Sequence, residues 1–145
     1  MSHTPDIYFS FFMFTTNLHL DNANYCALSI KHIRTLHDMG YAGFELPIGR
    51  PGDDVGSFED EITSFSHFKK QVAEQGLSSV KFATNVGATP QYDPSSHDPI
   101  VRERALAYLK SRVDITAALG GEIMMGPLIV PYAAYLVDAG GNRIW

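Results

Sequence analysis

At 145 residues, with 45% hydrophobic and 19% charged residues, the chain is long enough for one globular domain and too apolar to be a disordered one. Its net charge of −5 counts against nucleic acid as the main ligand, because phosphate backbones call for clustered Lys and Arg, and Lys69-Lys70 is the only adjacent basic pair. A single cysteine, Cys26, excludes an internal disulfide and suits a reducing compartment.

The first apolar run, Ile7 to Phe14, is nearly continuous and rich in aromatics, which predicts a strand buried on both faces. It is too short to span a bilayer, and it lacks the basic flank and small-residue cleavage site of a signal peptide. The expected location is therefore cytoplasmic. After the turn-forming stretch NLHLDNAN, residues Tyr25, Leu28, His32, Ile33, Leu36 and Met39 fall on one predicted helical face, and Gly40 stands where a helix ends. Tyr41 to Leu46 reads as a second strand, closed by Pro47. A loop, IGRPGDDVG, leads to Ser57, a good N-cap followed by Glu59, Asp60 and Glu61 in the first turn. Phe58, Ile62, Phe65, Phe68 and Val72 form the apolar stripe of this second helix, which Gly76 closes. The third strand is Ser79 to Val86, with Val80, Phe82, Thr84 and Val86 on one face and Lys81, Ala83 and Asn85 on the other. A long loop ends at Asp98-Pro99, an N-cap with proline at the first helical position. The third helix is expected to run through Leu106, Leu109 and Val113 to about Leu119. Glu122 to Met125 is the fourth strand, left through Gly126-Pro127.

The order is βαβαβαβ, which imposes parallel pairing through right-handed crossovers. Two α/β folds accept it: an open doubly wound sheet, or a (β/α)₈ TIM barrel, which needs about 250 residues. The segment LVDAGGNRIW reads as a loop opening toward a fourth helix. The expectation is thus a single domain over 1–145 that is the N-terminal half of a (β/α)₈ barrel, four parallel strands with intervening helices, interrupted and not completed.

Within that frame, the stretch from Ala83 to Leu128 carries a spaced set: Tyr92-Asp93, Ser95-Ser96, Asp98-Pro99 and Arg102. A helix ending Ala-Leu-Gly and a strand ending Gly126-Pro127 follow it. With the opening strand IYFSFF and the second strand GFEL, this pattern resembles the ketose 3-epimerases over nearly the whole chain. These are the D-tagatose and D-psicose 3-epimerase group of the sugar phosphate isomerase/epimerase superfamily, with xylose-isomerase-like barrels. The resemblance implies a divalent metal (Mn²⁺, Co²⁺ or Mg²⁺) and two carboxylates that move a proton at C3 of a ketose through an enediolate. Such chemistry is reasonable, since a C–H beside a carbonyl is weakly acidic and a base on each face can exchange its proton. In that family the metal ligands, two Glu, an Asp and a His, come from strands of the second half. The resemblance therefore assigns no metal ligand to this chain. It implies that these residues are inactive alone, and that open barrel edges favour pairing with another copy.

Candidate sugar contacts are Tyr8, Asn85, Gly87, Gly126, Pro127 and Leu128, with Glu45 a possible catalytic group. Each has a plainer reading. Tyr8 would be a core aromatic, and Glu45 a structural acid paired to a neighbouring strand or to Lys81. The glycines and Pro127 would be turn geometry. His32 and His37, five apart, miss the spacing of a two-His metal site. Asp53-Asp54 lacks the spacing of a calcium loop, and the AGG at 139–141 lacks a phosphate-binding pattern. An inosose dehydratase or hydroxypyruvate isomerase remains open within the superfamily. An endonuclease-like nuclease fits the acidic balance poorly. Outside the superfamily stands a non-catalytic α/β domain that binds a small ligand or a partner.

Overall fold

A computed structural model describes residues 5–15, 18–50 and 56–126, together with the backbone at 136–137 and 143–144. Four strands, β1 (Tyr8–Ser10), β2 (Gly43–Pro47), β3 (Lys81–Asn85) and β4 (Met124–Met125), form one parallel sheet in the order β1-β2-β3-β4. Between them lie α1 (Ala23–Asp38), α2 (Phe58–Glu74) and α3 (Pro99–Ala118). A separate two-stranded antiparallel pair, β5 (Leu136–Val137) and β6 (Arg143–Ile144), stands where the sequence suggested a loop opening toward a fourth helix.

The strand order decides between the two folds. A doubly wound sheet reverses direction at a switch point and takes helices on both faces. Here each strand pairs with the next in sequence, and all three helices contribute to one core. This is half of a (β/α)₈ barrel. Phe44, Leu46, Phe82 and Thr84 are buried toward the helices. The first three pack with Ile30 and Ile33 of α1, Phe65, Phe68 and Val72 of α2, and Tyr108 and Ile115 of α3. By strand alternation Tyr8, Ser10, Gly43, Glu45, Ala83 and Asn85 take the opposite, inner face.

Helix starts follow the sequence closely. Asn22 caps α1 by accepting from Tyr25 N–H at 3.1 Å. Ser57 and Asp60 form a reciprocal capping box on α2, and the Ser57 N–H and hydroxyl hold the Asp60 carboxyl below its usual pKa. Asp98 caps α3, with Pro99 in its first turn.

Two expectations are corrected. The run Ile7 to Phe14 is not one buried strand. After Ser10 the chain turns into a 3₁₀ helix over Phe11–Met13, so that Phe14 comes back to stack on Phe9 with ring centroids 5.8 Å apart. Ile7 and Phe14 are exposed. The buried face of α1 is Cys26, Ser29, Ile30 and Ile33, while Leu28, His32 and Met39 face outward. On α3 the buried stripe is Ala105, Tyr108, Arg112 and Ile115, and Leu106 and Val113 are exposed. In both helices polar residues occupy part of the inner face, which on α1 the reading of apolar spacing missed. Among the described residues no helix is long and apolar enough to cross a membrane.

Candidate functional site at the strand ends

Near the C-terminal ends of β2 and β3, on the inner face, the Asn85 side-chain amide donates to Glu45 Oε1 at 2.6 Å. A carboxylate only accepts, so the Asn85 NH₂ must face it, and the Asn85 Oδ1 is turned away. The pair bridges the two strands. Glu45 sits in register with Ser10 and Ala83, and Asn85 with Pro47 and Met125. Glu45 is thus partnered across the sheet, as its plainer reading held, but by Asn85. Lys81 pairs with Asp6 instead.

The chain stitches the strand exits together just beyond this pair. Ile48 N–H donates to the Asn85 carbonyl at 2.8 Å, and Val86 N–H to the Met125 carbonyl at 2.9 Å. The Gly87 carbonyl accepts from the Tyr108 hydroxyl at 3.4 Å. Gly126 has φ +134°, and a Cβ there would overlap the Val86 carbonyl oxygen. Close backbone approach therefore accounts for that glycine. Pro127 and Leu128 lie outside the described residues, as do Asp53, Asp54 and the AGG at 139–141. Tyr8 is placed at the other end of the sheet, level with Gly43 and so with Lys81. Its ring lies where a Gly43 side chain would be. The structure thus brings Glu45 and Asn85 together and places Tyr8 at the start of β1, over Gly43.

One cluster was not legible in the sequence. Arg112, fully buried on α3, donates to both carboxylate oxygens of Glu61 at 3.2 and 2.6 Å and to the Ile48 carbonyl at 2.8 Å. Arg50 meets the same carboxylate at 2.7 Å and also donates to the Gly56 carbonyl, joining the segment after β2 to the start of α2. The Phe58 ring lies 4.9 Å from the Arg50 guanidinium, and the Tyr108 ring 4.9 Å from that of Arg112. Tyr108 itself stacks on Tyr92, with centroids 4.3 Å apart. Burial pushes the Tyr108 phenol up to about 12, against the opposing pull of the Arg112 charge. A signal did exist. Tyr108, Arg112, Ile115 and Leu119 keep a 4-3-4 spacing, which puts an arginine in a core stripe.

Among the described residues, no three His, Cys, Asp or Glu side chains converge where they could hold a metal ion. Glu45 and Asn85 bring a single carboxylate. These residues do not fit a divalent ion.

The consecutive parallel strand order, with all three helices in one core, is that of an arc of a (β/α)₈ barrel. Residues 33–139 match the xylose isomerase-like TIM barrel family, and the chain belongs to it. It is similar to a solved protein of Anabaena variabilis described as a candidate sugar phosphate isomerase/epimerase. The two are 49% identical with a TM-score of 0.89, over 99% of this chain and 43% of that one. An L-ribulose 3-epimerase superposes with a TM-score of 0.64 at 18% identity, over 94% of this chain and 39% of that one. A D-psicose 3-epimerase from Clostridium cellulolyticum H10, solved with D-tagatose, does so with a TM-score of 0.60 at 16% identity, over 97% and 42%. The last two speak to the fold alone. The chain spans 39–43% of the length of these structures. No curated protein sequence matches it.

Proposed function

We propose that this chain is one arc of a barrel that isomerises or epimerises a sugar, with a ketose epimerised at C3 as the reaction. A proton leaves and returns at the carbon beside the carbonyl, by way of an enediolate. The observation that carries this reading is the Glu45–Asn85 pair. It lies on the face opposite the packed helices near the C-terminal strand ends, where barrels of this class place their chemistry. Asn85 Oδ1 and the Glu45 carboxylate are acceptors, suited to the hydroxyl hydrogens of a sugar. In this proposal they bind and orient the substrate, with Gly87 and Gly126 shaping the backbone beside them and Pro127 and Leu128 continuing the wall. Tyr8 supports the same face from its far end. The acid–base carboxylates and the ligands of a divalent metal (Mn²⁺, Co²⁺ or Mg²⁺) belong to strands outside this arc, and the arc alone is expected to be inactive.

The test is a panel of ketoses in D₂O with each of these ions, using this chain alone and joined to the remaining strands of its barrel. Deuterium entering C3, with the epimer appearing by NMR, is expected for the joined protein. Exchange at another carbon would point to a different superfamily reaction, of the hydroxypyruvate isomerase or inosose dehydratase kind. Ketose binding without any exchange would support a binding-only domain.

A further inference from the structure

A continuous hydrogen-bonded path runs from the helix layer to the candidate sugar-binding pair. Glu61 holds the Arg112 guanidinium by two bonds, at 3.2 and 2.6 Å. Arg112 Nη1 donates to the Ile48 carbonyl at 2.8 Å. The Ile48 N–H donates to the Asn85 carbonyl, also at 2.8 Å. The Asn85 side chain then donates to Glu45 at 2.6 Å. Ile48 is the first residue past β2 and is itself fully buried, so its peptide groups are held from two sides. One turn earlier on α3, Tyr108 reaches the Gly87 carbonyl past β3.

We propose that Arg112 is a positioning residue for the sugar-binding pair. It fixes the Ile48 peptide, and through it the end of β3 on which Asn85 stands. The inference rests on the sugar-binding reading of Glu45 and Asn85. Burying a guanidinium is costly, and an apolar residue of similar volume would fill the stripe between Tyr108 and Ile115 at lower desolvation cost. What the apolar residue lacks is reach. The planar fork of arginine binds a carboxylate and a main-chain carbonyl at once, which the point charge of lysine does not reproduce. Ser111 Oγ accepts further guanidinium N–H groups at 3.1 and 3.2 Å, so the fork is held in one orientation. A rigid fork transmits a fixed position to Ile48, where a mobile one would not.

The test uses two variants, Arg112→Lys and Glu61→Gln, and two readouts. The first readout is the Asn85 side-chain amide pair in ¹H–¹⁵N spectra, assigned by its loss in Asn85→Ala. The second is ketose affinity, with KM and kcat separated where turnover is seen. Both variants should move the Asn85 amide signals and weaken ketose binding by roughly tenfold, in line with the cost of misplacing a contact group. Val72→Ala, a core change on α2 away from the path, should lower the melting temperature and leave those signals in place. Unmoved Asn85 signals in both variants would overturn the proposal, as would Val72→Ala moving them equally. If Arg112→Lys does not fold, the nearly isosteric Glu61→Gln decides alone. If the wild type takes no ketose, the sugar-binding reading fails, whereas the amide signals still report on whether Arg112 holds Asn85.

Discussion

Glu45 and Asn85 are 40 positions apart, and each is an ordinary residue type for a strand end. Their pairing depends on the register of two strands, which no local pattern encodes. The sequence therefore yields both as separate candidates and leaves their relation open. Gly43 is a similar case: its need for hydrogen as a side chain comes from Tyr8 on the neighbouring strand. Glu45→Leu should strand the Asn85 amide and cost about 1–2 kcal/mol in urea denaturation, while Glu45→Gln, which retains an acceptor, should cost less than half of that. Tyr108 offers a pH prediction. Its phenol is raised to about 12 in the folded chain, whereas in the unfolded chain it titrates near 10. The folded state thus holds a proton that the unfolded state has released. The contribution of this phenol to stability is fully present below pH 10 and is lost at up to about 1.4 kcal/mol per pH unit toward pH 12. Tyr108→Phe should remove that part of the slope in denaturant melts taken across this range.

At the scale of elements, starts were more legible than faces. Asn22, Ser57 and Asp98 act through groups two or three residues away, and the caps on α2 and α3 fall where the sequence places them. Faces were legible on α2, whose Phe65, Phe68 and Val72 are buried as the stripe predicts. On α3 the stripe contains an arginine, and the apolar residues Leu106 and Val113 look outward. Burial of Arg112 depends on Glu61 and the Ile48 carbonyl, both distant in sequence, so composition alone does not show which face turns inward. The same feature sets a contrast in stability. Arg112→Met leaves Glu61 with one of its two cationic partners and should destabilise by roughly 3 kcal/mol, whereas Leu106→Glu at an exposed position should change stability by under about 0.5 kcal/mol. Chemical denaturation of the two variants measures both.

Over the whole molecule, the alternation of strands and helices was readable from local pattern, and the expected half barrel implied the consecutive strand order that is found. Alternation fixes parallel pairing. Whether the sheet reverses direction depends on which side each crossover packs, and that is a tertiary choice. Among the described residues the outer edge of β1 pairs with no other strand. Beside it runs a mainly apolar groove of about 570 Å³, where Phe9, Phe11, Phe14, Leu28 and Leu36 stand among polar groups such as His19 and His32. An open edge next to apolar surface favours association. The chain should therefore elute above its 16.0 kDa monomer mass in concentration-dependent sizing, and a constant monomer mass would contradict this.

The consecutive strand order also bears on how the chain acquires its shape. Tyr8 meets Gly43, Gly43 meets Lys81, and Thr84 meets Met124, steps of 35, 38 and 40 residues. Within this four-stranded sheet each new pairing is with the strand made just before, so the entropy of closing each loop is met in similar instalments. A ribosome releasing this polypeptide would present β2, β3 and β4 in turn to a neighbour already in place, and this arc of the sheet could grow at the pace of translation.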